Sequence, residues 1–181
     1  MKKIIPLFVF LMSVSGFIAI QSAWDMFKLN AQQQNEQSSE EKLYESLFSQ
    51  SEFEDLEGKK YKLTELKTPV VILNFWASWC TPCLKEFPSL EELRKTLGPE
   101  KVAVFAINGD EENAKKNILK TAEKYKLNFH HVLDSDSKIS DKFLVNSYPF
   151  TVVYVKGKFH KIMKKNFDFM EKDFRELLQK L

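Results

Sequence analysis

The sequence predicts an α/β protein, one sheet with helices on both faces, and three observations carry that reading. Short apolar runs rich in β-branched and aromatic residues alternate with longer stretches of helical periodicity. Both cysteines of the chain lie at one junction between such a run and such a stretch, in Cys80-Thr81-Pro82-Cys83. Hydrophobic residues make up 44% of the 181 residues and aromatics 13%, with 16 Phe, which suits one modest core and a tether rather than several domains.

The elements follow in order. Lys2-Lys3 precede a charge-free run from Ile4 to Trp24. As a helix that run is about 31 Å long, close to the roughly 30 Å of a hydrocarbon core. It is either a cleaved secretory signal peptide or an uncleaved signal anchor over residues 1–27. Gln21-Ser22-Ala23 and Phe17-Ile18-Ala19 make poor small-x-small cleavage sites, which favours the anchor. No cysteine follows the run, which excludes a lipoprotein anchor. The basic start should stay on the cytoplasmic side and put the domain outside, with Trp24 at the interface. Residues 28–47 are expected to be a polar linker. Its Gln, Ser and Glu, densest from Asn30 to Lys42, read as a flexible stalk or as a short exposed helix.

The domain is expected over residues 48–181. Glu57-Gly58-Lys59-Lys60 turns a hairpin within Phe53 to Leu63. Val70 to Trp76 reads as a buried central strand, and Pro82 to Leu97 as a helix that Gly98-Pro99 ends. Val102 to Ile107 is a strand, Glu112 to Tyr125 a helix and Phe129 to Leu133 a strand. Asp134-Ser135-Asp136 should cap a short helix, Lys138 to Phe143. Thr151 to Val155 and Phe159 to Met163 make a hairpin about Lys156-Gly157-Lys158. Phe169 to Leu181 closes the chain as an amphipathic helix.

Two thiols at a helix start form a reversible dithiol/disulfide switch. Free backbone N–H groups and the helix dipole favour a thiolate on the first, Cys80. That thiolate would attack and make a mixed disulfide, which Cys83 would resolve, with no cofactor needed. A purely structural bridge this short closes almost no loop and would stabilise little. A zinc site needs more ligands, and His130, His131 and His160 lack zinc-finger spacing. All three read as surface or structural histidines. Glu91-Glu92 and Lys164-Lys165 read as solvated charges. The 27 basic and 25 acidic residues, net +2, do not point to nucleic acid.

Phe75-Trp76-Ala77-Ser78-Trp79-Cys80-Thr81-Pro82-Cys83, with Lys85-Glu86-Phe87-Pro88 and the later Tyr148-Pro149-Phe150-Thr151-Val152-Val153, resembles the thioredoxin superfamily. Within it the chain is similar to the membrane-tethered TlpA/ResA-like thiol-disulfide oxidoreductases, over most of its length from about Phe48. The resemblance implies a thioredoxin-like fold: a central mixed sheet, an N-terminal β-hairpin, and a central helix-strand insertion at Glu112 to Leu133. It implies that Pro149 is a cis-proline beside the disulfide, and that Cys80 is the exposed nucleophile. Trp76 belongs to the core, whereas Trp79, Thr81, Pro82, Tyr148 and Pro149 would receive an extended substrate segment. Where typical thioredoxins bury an aspartate, this chain has Asn74, which cannot titrate. Glu86 matches an acid of the ResA-like pattern three residues after the second cysteine. It manages protons near the thiols or is simply a solvent-facing helical residue. Asn146-Ser147-Tyr148-Pro149-Phe150 lacks the glycine and acid that CcmG-related proteins carry around the cis-proline.

The expected activity is therefore reduction of disulfides in exported proteins, apocytochromes among the candidates. A reductase in an oxidising compartment needs electrons from across the membrane. The resemblance implies a carrier of the CcdA/DsbD kind. The rivals are a disulfide donor, and a copper-handling protein resembling the Sco group, which has three residues between its cysteines where this chain has two.

Overall fold

The computed structural model describes residues 5–181, with side chains from Gln21 onward apart from Ala23. The element order is α1 (Ile5–Ser49), β1 (Glu52–Glu54), β2 (Lys60–Lys62), β3 (Val70–Trp76), α2 (Thr81–Leu97), β4 (Val102–Asn108), α3 (Ala114–Tyr125), β5 (His130–Leu133), α4 (Lys138–Lys142), β6 (Phe150–Val155), β7 (Lys158–Met163) and α5 (Lys172–Gln179). The chain divides into two compact units, 1–42 and 43–181.

The first unit holds the greater part of α1. The polar stretch from Asn30 to Lys42 is helical and almost wholly exposed. Gln32 Nε2 donates to Glu36 Oε1 at 3.1 Å, an i,i+4 contact of the kind that supports exposed helices. A helix, not a loose stalk, is thus the form these residues take. Lys2-Lys3 and the side chains of the run up to Ile20 lie outside the described residues. Among the described residues no helix is long and apolar enough to cross a membrane.

The second unit begins at Leu43, earlier than the expected residue 48. Tyr44, Leu47 and Phe48 recur at helical spacing and are buried. The Tyr44 hydroxyl donates to the Phe143 carbonyl at 3.0 Å, and the Tyr154 hydroxyl to the Tyr44 carbonyl at 3.0 Å. Glu45, Ser46 and Ser49 between them hide this stripe in a reading by composition.

The sheet runs β5-β4-β3-β6-β7, with β3 at its centre. β3 pairs parallel with β4 and antiparallel with β6, so the sheet is mixed. All seven β3 residues are buried because both faces are covered. Val70, Ile72 and Trp76 pack toward Phe87 and Leu90 of α2, Ile118 of α3, and Phe174 and Leu178 of α5. Val71, Leu73 and Phe75 pack on the other face with Tyr44, Phe48, Phe53 and Phe143. By this alternation Asn74 belongs to the α2 side. β1 and β2 form the expected antiparallel hairpin, and α3 with β5 supplies the expected helix-strand unit. Asp134 caps α4 from four residues ahead, accepting from the Ile139 and Ser140 N–H groups at 2.8 Å each. The closing helix α5 is shorter than expected, starting at Lys172, because residues 164–171 run irregularly across α2.

Glu91 is not a solvated charge. It is 3% exposed, and its carboxylate accepts from Arg94 Nη2 at 2.7 Å, Arg94 Nε at 3.0 Å and the Asn128 N–H at 3.2 Å. Glu92, Lys164 and Lys165 are exposed.

Candidate active site

The site is built where β3 ends and α2 begins. The loops after β3 and β4 are tied together there. The Gly109 N–H donates to the Trp76 carbonyl at 3.0 Å, and the Ser78 N–H to Asp110 Oδ1 at 2.9 Å. Cys80 is the N-cap of α2, in extended conformation, and its sulfur accepts from the Cys83 N–H at 3.2 Å. Pro82 stands in the first turn, where a helix has no use for its missing N–H. Cys80 and Cys83 are joined, with Sγ–Sγ 2.01 Å and Cα–Cα 5.3 Å. Cys83 is wholly buried. Cys80, expected to be exposed, is only 4% exposed, so it is the more accessible residue of a buried pair. On reduction, a negative charge on Cys80 would meet the Cys83 N–H and the positive end of α2.

Glu86 follows one turn behind Cys83 and is buried, 2% exposed, which removes the solvent-facing alternative. Its Oε1 accepts from Asn74 Nδ2 at 2.7 Å, and its Oε2 from the Phe167 N–H at 3.4 Å. Burial pushes its carboxyl up to about 7, against the two hydrogen bonds that pull it down. The residue that cannot titrate, Asn74, thus holds the one that can. Asn74 Nδ2 also donates to Thr151 Oγ1 at 2.9 Å, across the β3–β6 ladder where the two residues are directly paired.

The outer rim is aromatic. Trp79 is 71% exposed, and its ring lies 5.9 Å from that of Tyr148. The Tyr148-Pro149 peptide is cis. Phe150 pairs with Phe75, so Pro149 stands beside the C-terminal end of β3, next to the loop that carries the cysteines. Pro149 is buried, whereas Thr81 and Pro82 are exposed on the first turn of α2. Trp76 is buried, with its ring 5.0 Å from that of Phe87.

Three contributors were not singled out from sequence: Thr151, the Phe167 N–H and Gly109. Thr151 is a lone hydroxyl in an otherwise apolar strand, which was a usable signal. A backbone N–H leaves none. A Cβ at Gly109 would run into the Tyr148 hydroxyl, so that glycine makes room for the rim. The histidines lie apart from the site. His130 Nδ1 is 3.9 Å from Asp55 Oδ2, and burial pushes His131 down to about 4. Among the described residues no group of three or more His, Cys, Asp or Glu side chains could hold a metal ion.

A family model described as AhpC/TSA family matches residues 46–164. The chain belongs to the AhpC/TSA family. It is 38% identical over 112 residues to the thiol-disulfide oxidoreductase ResA of Bacillus subtilis, covering 61% of each chain. It is 38% identical over 99 residues to the thioredoxin-like protein YneN of the same organism, covering 54% of this chain and 57% of that protein. The chain thus spans less than two thirds of the length of these curated relatives. Among solved structures it resembles a secreted Mycobacterium tuberculosis disulfide oxidoreductase homologous to Escherichia coli DsbE, with a TM-score of 0.61 at 23% identity, covering 74% of this chain and 98% of that one. It also resembles StoA of Bacillus subtilis, with a TM-score of 0.57 at 22% identity, covering 72% and 93%. These likenesses make the fold that of thioredoxin-like disulfide oxidoreductases.

Proposed function

We propose that the chain is a thiol-disulfide oxidoreductase that works through Cys80 and Cys83. The observation that carries this is the bridged pair at the N-terminus of α2, with a buried acid one turn behind it and an aromatic rim outside it. In the reducing direction the Cys80 thiolate attacks a client disulfide. A Cys80–client bond forms, and the client's first sulfur leaves as a thiolate. The Cys83 thiolate then attacks Cys80 Sγ, forming the bond described here and releasing the client's second thiolate. Two electrons pass to the client, and the two protons of the reduced pair end on its thiols. Glu86, with a carboxyl near 7, is suited to take and return one of them at neutral pH. Trp79, Tyr148 and Pro149 would seat the client's extended segment.

The working direction is reduction of exported proteins, apocytochromes included, by a domain anchored through its charge-free N-terminal run. Electrons come from a membrane carrier of the CcdA/DsbD kind. The basic start, the missing cleavage site and the likeness to ResA support this reading. Replacing Cys83 with Ser in the native host should leave Cys80 joined to its clients, and identifying them names the substrates. A variant that traps no mixed disulfide would refute the assignment. A potential more oxidising than that of the trapped clients would turn the direction around, to disulfide donation.

A further inference from the structure

The Asn74 amide is underused as it stands. Its Nδ2 donates twice, to Glu86 Oε1 and to Thr151 Oγ1, while its buried Oδ1 has no partner among the described residues. Asn74 itself has no exposed surface. A buried acceptor left unpaired is costly, so the arrangement needs an explanation. It suits one charge state of Glu86 only. An ionised carboxylate accepts and cannot donate, so it needs the NH₂ group. A protonated carboxyl there would find only donors in its two partners, that NH₂ and the Phe167 N–H. Turning the amide half a revolution puts Oδ1 where Nδ2 was. Oδ1 could then accept from the Glu86 O–H and from the Thr151 hydroxyl, since a hydroxyl donates as readily as it accepts.

We infer that Asn74 is a positioning residue whose amide turns with the proton on Glu86, offering its NH₂ to the carboxylate and its carbonyl to the acid. Neither an aspartate nor an apolar residue at 74 could do both. An aspartate would have to share the proton, and an apolar side chain would leave Glu86 and Thr151 unpaired. Among the described residues the Glu86 carboxyl is hydrogen-bonded to the Asn74 amide from the sheet, itself bonded to Thr151, and to the Phe167 N–H from the segment after β7, with Cys83 three residues earlier on α2. The nearby cations cover aromatic rings instead of the carboxyl. Lys161 Nζ lies 5.0 Å from the Phe167 ring centroid, and Lys164 Nζ 6.0 Å from that of Phe150. The turn keeps Glu86 hydrogen-bonded in both charge states. It moves the NH₂ to the buried place that Oδ1 holds now, so the cost of an unpaired group passes to the amide instead of falling on Glu86. The inference rests on the function proposed above.

The test is an NMR titration of the whole oxidised chain, following the Glu86 side-chain carbon and the Asn74 side-chain NH₂ together. Both signals should move with one midpoint, and in Glu86→Gln the Asn74 signal should stay still across the same range. Asn74→Leu should weaken Glu86 ionisation three- to tenfold, because the charge-assisted donor is the stronger of its two bonds. Thr151→Val, which takes one partner from each setting, should change it less than threefold. An Asn74 signal that stays flat while Glu86 titrates overturns the inference. So does an Asn74→Leu midpoint equal to that of the wild type in a chain that still folds. Failure of the wild-type chain to exchange disulfides would sink the proposed function and leave this coupling intact, so the two failures are distinguishable.

Discussion

Helix α2 buries two glutamates five residues apart, and they end in opposite states. Glu91 meets the Arg94 guanidinium through two hydrogen bonds, with Lys95 Nζ 3.7 Å away, and its carboxyl is held below the usual range although burial pushes the other way. Glu86 meets only a neutral amide and one backbone N–H, and burial wins. Both are almost closed to solvent, 2% and 3% exposed, but Glu86 lies deeper in the surrounding protein, so depth and partner together decide the charge. One glutamate is a fixed anion that fastens α2 to the Asn128 loop. The other is poised between charge states beside a redox pair.

The largest effect expected is on the fixed anion. Arg94→Met leaves Glu91 buried with an N–H and an exposed lysine. It should cost about 3 kcal/mol in urea unfolding, as when one member of a buried pair is removed. A loss under about 1 kcal/mol would mean that Lys95 replaces Arg94, and the contrast with Glu86 would weaken.

Glu86 behaves in the opposite sense. Its folded pKa is raised, so its neutral form favours folding at low pH, and that contribution is lost as pH rises from the usual carboxylate range through about 7. Glu86→Gln should therefore be more stable than the wild type at pH 8, by about 2–3 kcal/mol, and no more stable at pH 4. Equal stability gains at both pH values would show that the charge is not the cause.

That same variant should uncover a third group. His131 has its folded pKa lowered to about 4, so its contribution is present above pH 6.5 and lost as pH falls toward 4. In the wild type this slope opposes that of Glu86, and stability should be nearly flat between the two. In Glu86→Gln the fall on acidification should emerge at roughly 2 kcal/mol, and adding His131→Asn should remove it. Thermal unfolding from pH 4 to 8 reads all three chains.

The smallest effect is on the thiols. An ionised Glu86 disfavours a neighbouring thiolate, so Glu86→Gln should lower at least one active-site thiol pKa by around one unit, about 1.4 kcal/mol. Alkylation rate against pH in the reduced proteins measures it. Coincident curves would separate Glu86 from the thiols.

The strands and helices around the cysteines were legible because period and punctuation agree there. Val70 to Trp76 is apolar throughout, as a strand covered on both faces must be, and Gly98 ends the helix that follows. The motif also marked Cys80, Cys83 and the rim at Trp79 and Tyr148. What stayed hidden was depth on a helix. Glu91 read as a solvated charge, and Glu86 stood between a proton-managing acid and a solvent-facing residue, because the contacts that bury them reach to elsewhere in the chain. The partner of Glu86 on β3 is twelve residues away, and its backbone donor, Phe167, is eighty-one. The Tyr44, Leu47 and Phe48 stripe, ahead of the expected residue 48, is hard to see for a related reason: it is short and follows the polar stretch of α1.

The segment after β7 gives this arrangement a sidedness. Asn166 Nδ2 donates to the Pro82 carbonyl at 3.0 Å, the Phe167 N–H to Glu86 Oε2 at 3.4 Å, and the Phe169 N–H to Ser89 Oγ at 3.2 Å. These three stitches follow one face of α2 at its own pitch, like a seam closed over the acid. A seam there covers the acid on that side. In the exchange proposed above, the carboxyl would then behave less like a surface buffer, open to whatever the medium supplies, and more like a sealed cell that charges and discharges toward the cysteine pair.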